Sequence, residues 1–197
     1  MPIDTTALTS LPEPGDVAAS HSRELVAMIR DEIGTAGGVI GFDHYMNRAL
    51  YASGYGYYTA AARKLGVEGD FVTAPEISPL FSRCVGNQVA EVLEALGGGD
   101  VVEFGAGSGT FAGELMRILI QCDIVPRRYL ILETSPDLKR RQAELLTQQF
   151  PECHPYFQWI DDFPPAGFRG VLLANELLDA FPASRFQIVN DTVTELG

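Results

Sequence analysis

The chain has 197 residues, of which 46% are hydrophobic and 20% are charged, a composition that favours a folded globular protein over a disordered one. Its formal net charge of −12 repels phosphate backbones, so nucleic acid is not expected as a partner. Three separated cysteines and three scattered histidines predict neither a disulfide framework nor a metal site. With no long apolar run and no Lys or Arg in residues 1–20, we expect no membrane segment or leader and a cytoplasmic location.

The first half of the chain predicts helices. Residues 1–20 are rich in Pro, Thr and Ser and predict a flexible tail. Residues 21–99 predict a helical region that could act as a lid, with helices near 25–33, at 42–51 and from 79 onward. Ser78 and Pro79 have the cap-plus-proline pattern of a helix start, and the three glycines at 97–99 end that helix.

From residue 100 the pattern changes to strands that alternate with helices. Helices are predicted at 110–121 and 135–150, and a helical turn at 176–180. Strands are predicted at 101–104, 129–132, 156–160, 171–174 and 185–189. Such alternation is typical of an α/β fold, in which helices cover both faces of a parallel sheet, so we expect residues 100–197 to form one such domain.

The strongest motif joins the first strand of this region to the helix after it. Glu103 lies near the end of the strand, and Gly105, Gly107 and Gly109 form a turn that lets backbone approach a ligand closely. A dinucleotide site would have the spacing GxGxxG and would not favour a carboxylate beside its phosphates, whereas S-adenosylmethionine (SAM) is cationic. The motif therefore favours SAM over NAD and over a purely structural turn.

Further polar side chains follow the later strands. Glu133 is placed to accept hydrogen bonds from ribose hydroxyls, although it lies farther from the glycines than is usual. Asp161 and Asp162 could accept from an adenine amino group, or could simply form a turn. The group after the fourth strand would face the methyl group and its acceptor, or would cap a helix: Asn175, Glu176 and Asp179.

Several segments resemble the MidA-like methyltransferases. The similar segments are 56–58, 69–78 with Phe81, 103–109, 132–136 with Gln142, and 174–182, and they occur in the family's order over about residues 39–186. The resemblance implies a Rossmann-like class I methyltransferase sheet, here with about five of its seven strands, behind an N-terminal helical extension. It also implies SAM as cofactor and arginine N-methylation of a protein, linked to respiratory complex I assembly.

The expected reaction is attack by a substrate nitrogen on the SAM methyl group, aided by alignment and removal of water. The candidate catalytic residues are Asp70, Glu76, Asn175, Glu176 and Asp179. The candidate cofactor-binding residues are Glu103, Gly105, Ala106, Gly107, Gly109, Thr110, Glu133, Ser135, Asp161, Asp162 and Asn175. A noncatalytic SAM-binding assembly factor, a small-molecule methyltransferase and a nucleotide-cofactor oxidoreductase stay open as alternatives, and the oligomeric state is not predicted.

Overall fold

A computed structural model describes residues 14–59, 72–164 and 166–197 of the chain. The chain divides into two compact units, one formed by Met1–Ala61 with Phe181–Gly197 and the other by Ala62–Ala180. Within the described ranges, no helix is both long enough and apolar enough to span a membrane.

The larger unit is built on a parallel four-stranded sheet with the strand order β3-β2-β1-β4. The strands are β1 Asp100–Phe104, β2 Tyr129–Leu132, β3 Phe157–Ile160 and β4 Gly170–Leu173. Each lies within one residue of its predicted bounds, because short apolar runs bounded by polar turns define buried strands well. The expected α/β, Rossmann-like arrangement is confirmed for this unit.

Among its described residues, the same unit has four α-helices, and sequence signals set the ends of several of them. They are α3 Ala74–Ile77, α4 Pro79–Leu96, α5 Thr110–Gln121 and α6 Pro136–Gln149. The Ser78 hydroxyl accepts the Leu80 N–H at 3.2 Å, and Ser135 likewise caps α6 by accepting the Leu138 N–H at 3.4 Å. Gly97 ends α4 with a φ of 69°, which favours glycine.

The core lies between these helices and one face of the sheet. It gathers aliphatic and aromatic side chains of α4, α5, α6 and the strands, including Val89, Leu93, Leu115, Met116, Leu119, Tyr129, Ile131 and Leu146. Helix α4 packs closely on α5, since a Cβ added at Gly86 would lie 3.1 Å from the Ile118 side chain. This packing holds α5, and the turn that precedes it, against the sheet.

The described part of the smaller unit has two helices and a hairpin: α1 Asp16–Thr35, α2 Phe42–Tyr51, β5 Arg185–Val189 and β6 Thr192–Leu196. Glu32 on α1 accepts hydrogen bonds from Arg48 and pairs with His44, both on α2. The Arg185 guanidinium lies over the Phe42 ring, 5.1 Å from its centroid, and so joins the hairpin to α2.

The structure differs from three of our expectations. The fifth predicted strand has the expected bounds, but β5 pairs antiparallel with β6 in a separate sheet, because Asn190 and Asp191 adopt positive φ and close a two-residue hairpin. The predicted tail at 1–20 overlaps α1, which begins at Asp16. The predicted domain division near residue 99 also differs, since α4 packs on α5 and belongs to the unit that contains the parallel sheet.

Candidate functional site

The carboxyl ends of all four parallel strands lie at one edge of the sheet. The register pairs Phe104 with Leu132, and Leu132 with Ile160, so the segments that follow β1, β2 and β3 emerge side by side. Glu103 is paired with Leu173 on the other side, which brings the segment after β4 to the same edge. This edge is where open parallel sheets bind ligands, and it gathers most of the predicted site residues.

The glycine turn after β1 requires glycine at three positions. Gly105, Gly107 and Gly109 have φ values of 66°, 56° and 91°, a region that other residues rarely adopt. Ala106 is buried, and its carbonyl accepts the Gly109 N–H at 2.8 Å. Thr110 begins α5, so the turn leads directly into a helix N-terminus, as the sequence predicts.

Glu103 is almost fully buried at the end of β1. Its carboxylate accepts a hydrogen bond from the Tyr129 hydroxyl at 2.6 Å. Burial raises the pKa of Glu103 to about 7, the Tyr129 hydrogen bond lowers it, and the negative charge of Glu133 raises it again. Burial and the neighbouring Glu103 also raise the pKa of Tyr129 well above its ordinary value. Glu103 can therefore change its protonation state near neutral pH.

Glu133 is held by two donors at the end of β2. Its Oε1 accepts the Ser135 N–H at 3.0 Å, and its Oε2 accepts from the Gln142 amide at 3.1 Å. The same Gln142 amide nitrogen donates to the Gly107 carbonyl at 3.0 Å. The structure thus brings Glu133, Ser135 and the glycine turn together, as the motifs predict.

The predicted adenine acceptors lie at the surface. Asp161 and Asp162 follow β3 and are exposed, and the Asp161 carboxylate forms an ion pair with Lys139 of α6. Trp159, two residues earlier on β3, is half-buried and donates its indole N–H to the Gln142 amide oxygen at 2.9 Å. That these two aspartates contact an adenine therefore stays a prediction.

The segment after β4 folds over the glycine turn. A Cβ added at Gly105 would lie 2.8 Å from the Leu177 side chain, so Leu177 covers that position. Glu176 has a φ of 48°, a backbone conformation that is costly for a residue with a side chain and that occurs often at functional sites. Asn175 is partly buried, whereas Glu176 and Asp179 are exposed and so accessible to a substrate.

Glu76 is the other described catalytic candidate. It lies in the short helix α3, which packs against both α4 and α5. Its Oε2 atom is buried without a hydrogen-bond partner in the part of the chain that the structure describes. A buried carboxylate oxygen without a donor is costly, so Glu76 has an unfilled capacity to bind a cationic or N–H group. Asp70, also predicted to be catalytic, lies outside the described residues.

Two residues of this site were not predicted from the pattern of the sequence. Tyr129 looks like an ordinary apolar strand residue, and only the strand register reveals its hydrogen bond to Glu103. Gln142 was noted only as part of the family resemblance, although its spacing from neighbouring leucines could have identified it as buried. It stands four residues after Leu138 and four before Leu146, which puts a polar side chain on the inward face of α6.

Comparison with known proteins agrees with this geometry. A family described as "Putative S-adenosyl-L-methionine-dependent methyltransferase" matches residues 84–197. A crystal structure of a Burkholderia thailandensis protein bound to S-adenosyl-homocysteine superposes with a TM-score of 0.83 at 38% identity, over 95% of this chain and 53% of that one. A second crystal structure of a Burkholderia thailandensis protein, also 38% identical, has a TM-score of 0.78 over 95% of this chain and 51% of that one.

Curated relatives carry a more specific name. The zebrafish (Danio rerio) protein named "Protein arginine methyltransferase NDUFAF7, mitochondrial" is 33% identical over 77% of this chain and 41% of its own length. A Drosophila melanogaster homologue is 30% identical over 91% of this chain and 45% of its own length. The chain thus spans less than half the length of these curated relatives.

These names also correct one expectation. The cytoplasmic location that we expected from the sequence is wrong by this comparison, because the curated relatives are named as mitochondrial. That expectation depended on the absence of positive charge in residues 1–20, and such an absence does not report location. By the family match over residues 84–197 and the structural similarity, the chain belongs to the family of S-adenosyl-L-methionine-dependent methyltransferases.

Proposed function

We propose that this chain transfers a methyl group from SAM to an arginine side chain of a protein. The glycine turn after β1, joined to Glu133 through Gln142, is the observation that carries the cofactor assignment. The names of the curated relatives support arginine as the acceptor. The link to respiratory complex I assembly comes from the family resemblance alone and stays a prediction.

The residues at the strand ends fit SAM. The three glycines with positive φ form a tight turn that brings backbone groups to the carboxyl edge of the sheet, where a ligand can approach them. Glu133 has one internal donor on each carboxylate oxygen, so one lone pair on each oxygen is left for the two hydroxyls of a ribose. Glu103, when ionised, would attract the positively charged amino group of the methionine part.

The acceptor would be held by carboxylates. SAM supplies an electrophilic methyl group on a sulfonium, which becomes a neutral thioether when the methyl group is transferred. An arginine guanidinium nitrogen accepts that methyl group and releases one proton to solvent. Glu176 and Glu76 are the carboxylates that would align the guanidinium through charge-assisted hydrogen bonds. Glu176 is exposed and so accessible to a substrate, and Glu76 has a buried oxygen that accepts no hydrogen bond from the described residues. Asn175 and Asp179 lie near Glu176 along the chain, and the net charge of −12 favours a cationic peptide.

The first experiment measures cofactor binding by isothermal titration of the 197-residue chain with SAM, with NADH as the comparison. Saturable binding of SAM, and none of NADH, is the expected result. Replacing Gly107 with Val should abolish it, because a β-branched residue is strained at a φ of 56°. Binding of NADH instead of SAM would support an oxidoreductase and contradict the proposal.

The second experiment tests the acceptor with radiolabelled SAM and an arginine-containing peptide. Glu176→Gln keeps the shape of the side chain but removes its charge, so methylation should fall by about a hundredfold or more while SAM affinity is retained. Glu94→Gln is the matched control, because Glu94 is an exposed carboxylate on α4. Full methylation by Glu176→Gln would remove Glu176 from the site, and SAM binding with no protein labelled by the unmutated chain would favour a noncatalytic factor.

A further inference from the structure

Gln142 is a fully buried polar side chain whose amide hydrogens are both used. Its Nε2 donates to the Gly107 carbonyl at 3.0 Å and to Glu133 Oε2 at 3.1 Å. Its Oε1 accepts the indole N–H of Trp159 at 2.9 Å. Because an indole N–H can only donate, the amide oxygen must face Trp159, and the amide nitrogen must face the other two groups. The orientation of the amide is therefore fixed by its partners.

The three partners of Gln142 come from three consecutive strands and their loops. Gly107 belongs to the turn after β1, Glu133 follows β2, and Trp159 lies in β3. The backbone of α6 also supports the turn, since a Cβ added at Gly109 would lie 3.5 Å from the Gln142 Cα. One side chain thus hydrogen-bonds to all three of the elements that the proposed cofactor would span.

The carboxylate of Glu133 has a defined orientation only while Gln142 donates to it. The Ser135 N–H fixes one carboxylate oxygen, and the Gln142 amide fixes the other. With one donor on each oxygen, the carboxylate plane cannot rotate without breaking a bond. A ribose that binds through both hydroxyls needs both oxygens in place at once, so this orientation bears directly on its affinity.

We propose that Gln142 is a positioning residue for SAM binding, because it fixes the Glu133 carboxylate relative to the glycine turn. This inference rests on the proposed function, because it needs Glu133 to bind the ribose. Loss of the two amide donors would remove the Gln142 hydrogen bond from the Gly107 carbonyl and from Glu133 Oε2. The Ser135 N–H alone would then hold the Glu133 carboxylate, which could rotate about that one bond. Gln142 itself need not contact the cofactor.

The test compares two variants of Gln142 with a matched packing variant. Gln142→Met keeps the length of the side chain but has no donor, and Gln142→Glu keeps the acceptor for Trp159 while placing a second carboxylate against Glu133. Leu146→Ala is the control, because Leu146 is fully buried one turn later on the same helix and shares none of these hydrogen bonds. Isothermal titration should show SAM affinity about tenfold weaker or more in both Gln142 variants and unchanged in the folded Leu146→Ala chain.

A double-mutant cycle separates positioning from general stability. Glu133→Ala should weaken SAM binding by itself. In the Glu133→Ala background, Gln142→Met should lower the SAM affinity by a much smaller factor than it does in the unmutated chain. A purely structural residue would cost the same factor in both backgrounds. Trp159 is the one tryptophan of the chain, so its fluorescence should shift in Gln142→Met as its indole N–H loses the acceptor.

The outcomes are distinguishable from failure of the proposed function. If the unmutated chain does not bind SAM, the proposed function fails, and this inference fails with it. If the unmutated chain binds SAM and both Gln142 variants bind it within twofold, or if the cycle is additive, only the positioning role is overturned. Loss of folding in both Gln142 variants would assign Gln142 to stability and would also overturn it.

Discussion

At the scale of single residues, the ionisation of Glu103 links the site to the stability of the fold. Burial raises the pKa of this carboxyl from its ordinary 4.5 to about 7. Between these two values the folded chain keeps a proton on Glu103 that the unfolded chain has released. The contribution of Glu103 to the free energy of unfolding is therefore complete below about pH 4.5 and falls as the pH rises to about 7, by at most about 3 kcal/mol.

Replacing Glu103 with Gln should remove this loss, because the amide does not titrate. Urea denaturation at about pH 5 and about pH 8 should show that Glu103→Gln loses less stability than the unmutated chain as the pH rises. Tyr129→Phe is the informative companion, since it removes the hydrogen bond that lowers the pKa of Glu103 and should move the loss to higher pH. Parallel pH curves for all three chains would contradict the assignment.

Glu103 and the other hydrogen-bonded residues of the site show what could be predicted locally. Glu103 and Glu133 are recognisable because each follows a short apolar run at a strand end, where a ligand is expected. Tyr129 and Gln142 are not recognisable in this way, because their partners are 26 and 9 or more residues away. Strand register and helix packing, which depend on the whole fold, decide those contacts.

At the scale of elements, two helical glycines with different surroundings test how closely α5 packs. A Cβ at Gly113 would lie 2.5 Å from the Phe150 ring, which is buried and has the Arg117 guanidinium 4.5 Å from its centroid. A Cβ at Gly34, in α1, would meet nothing within 4 Å. The first position needs glycine for close approach, whereas the second does not.

Gly113→Ala should therefore destabilise the chain by about 1–3 kcal/mol, because the ring of Phe150 must move within a packed core. Gly34→Ala should instead stabilise its helix by up to about 1 kcal/mol, through helix propensity alone. Thermal unfolding followed by circular dichroism measures both changes. Equal effects of the two substitutions would mean that the contact between α5 and Phe150 is looser than described.

The ends of elements were predictable where a local cap sets them. Ser78 and Ser135 cap α4 and α6 through their own side chains, so both starts could be predicted to the residue. The pairing of β5 was not predictable from its apolar pattern, which suits a buried parallel strand as well as a hairpin. The positive φ of Asn190 and Asp191 decides for the hairpin, and those residue types were the available signal.

At the scale of the whole molecule, strand β4 is an edge of the parallel sheet. The strand order ends at β4, so in the part of the chain that the structure describes its outer backbone groups have no neighbouring strand. Leu172 on this strand is 55% exposed, whereas its partner Val102 on β1 is fully buried. An apolar edge strand with unpaired backbone groups favours pairing with a second chain.

Leu172→Lys should therefore slow aggregation without weakening the fold. A lysine at an exposed edge position opposes strand pairing, and the free energy of unfolding should stay within about 0.5 kcal/mol, because an exposed leucine contributes little packing. Val102→Lys, at the paired position, should instead unfold the sheet, since its charge would be buried. Light scattering of concentrated samples and urea denaturation measure the two effects. Unchanged aggregation in folded Leu172→Lys would show that association of this chain does not begin at the edge of β4.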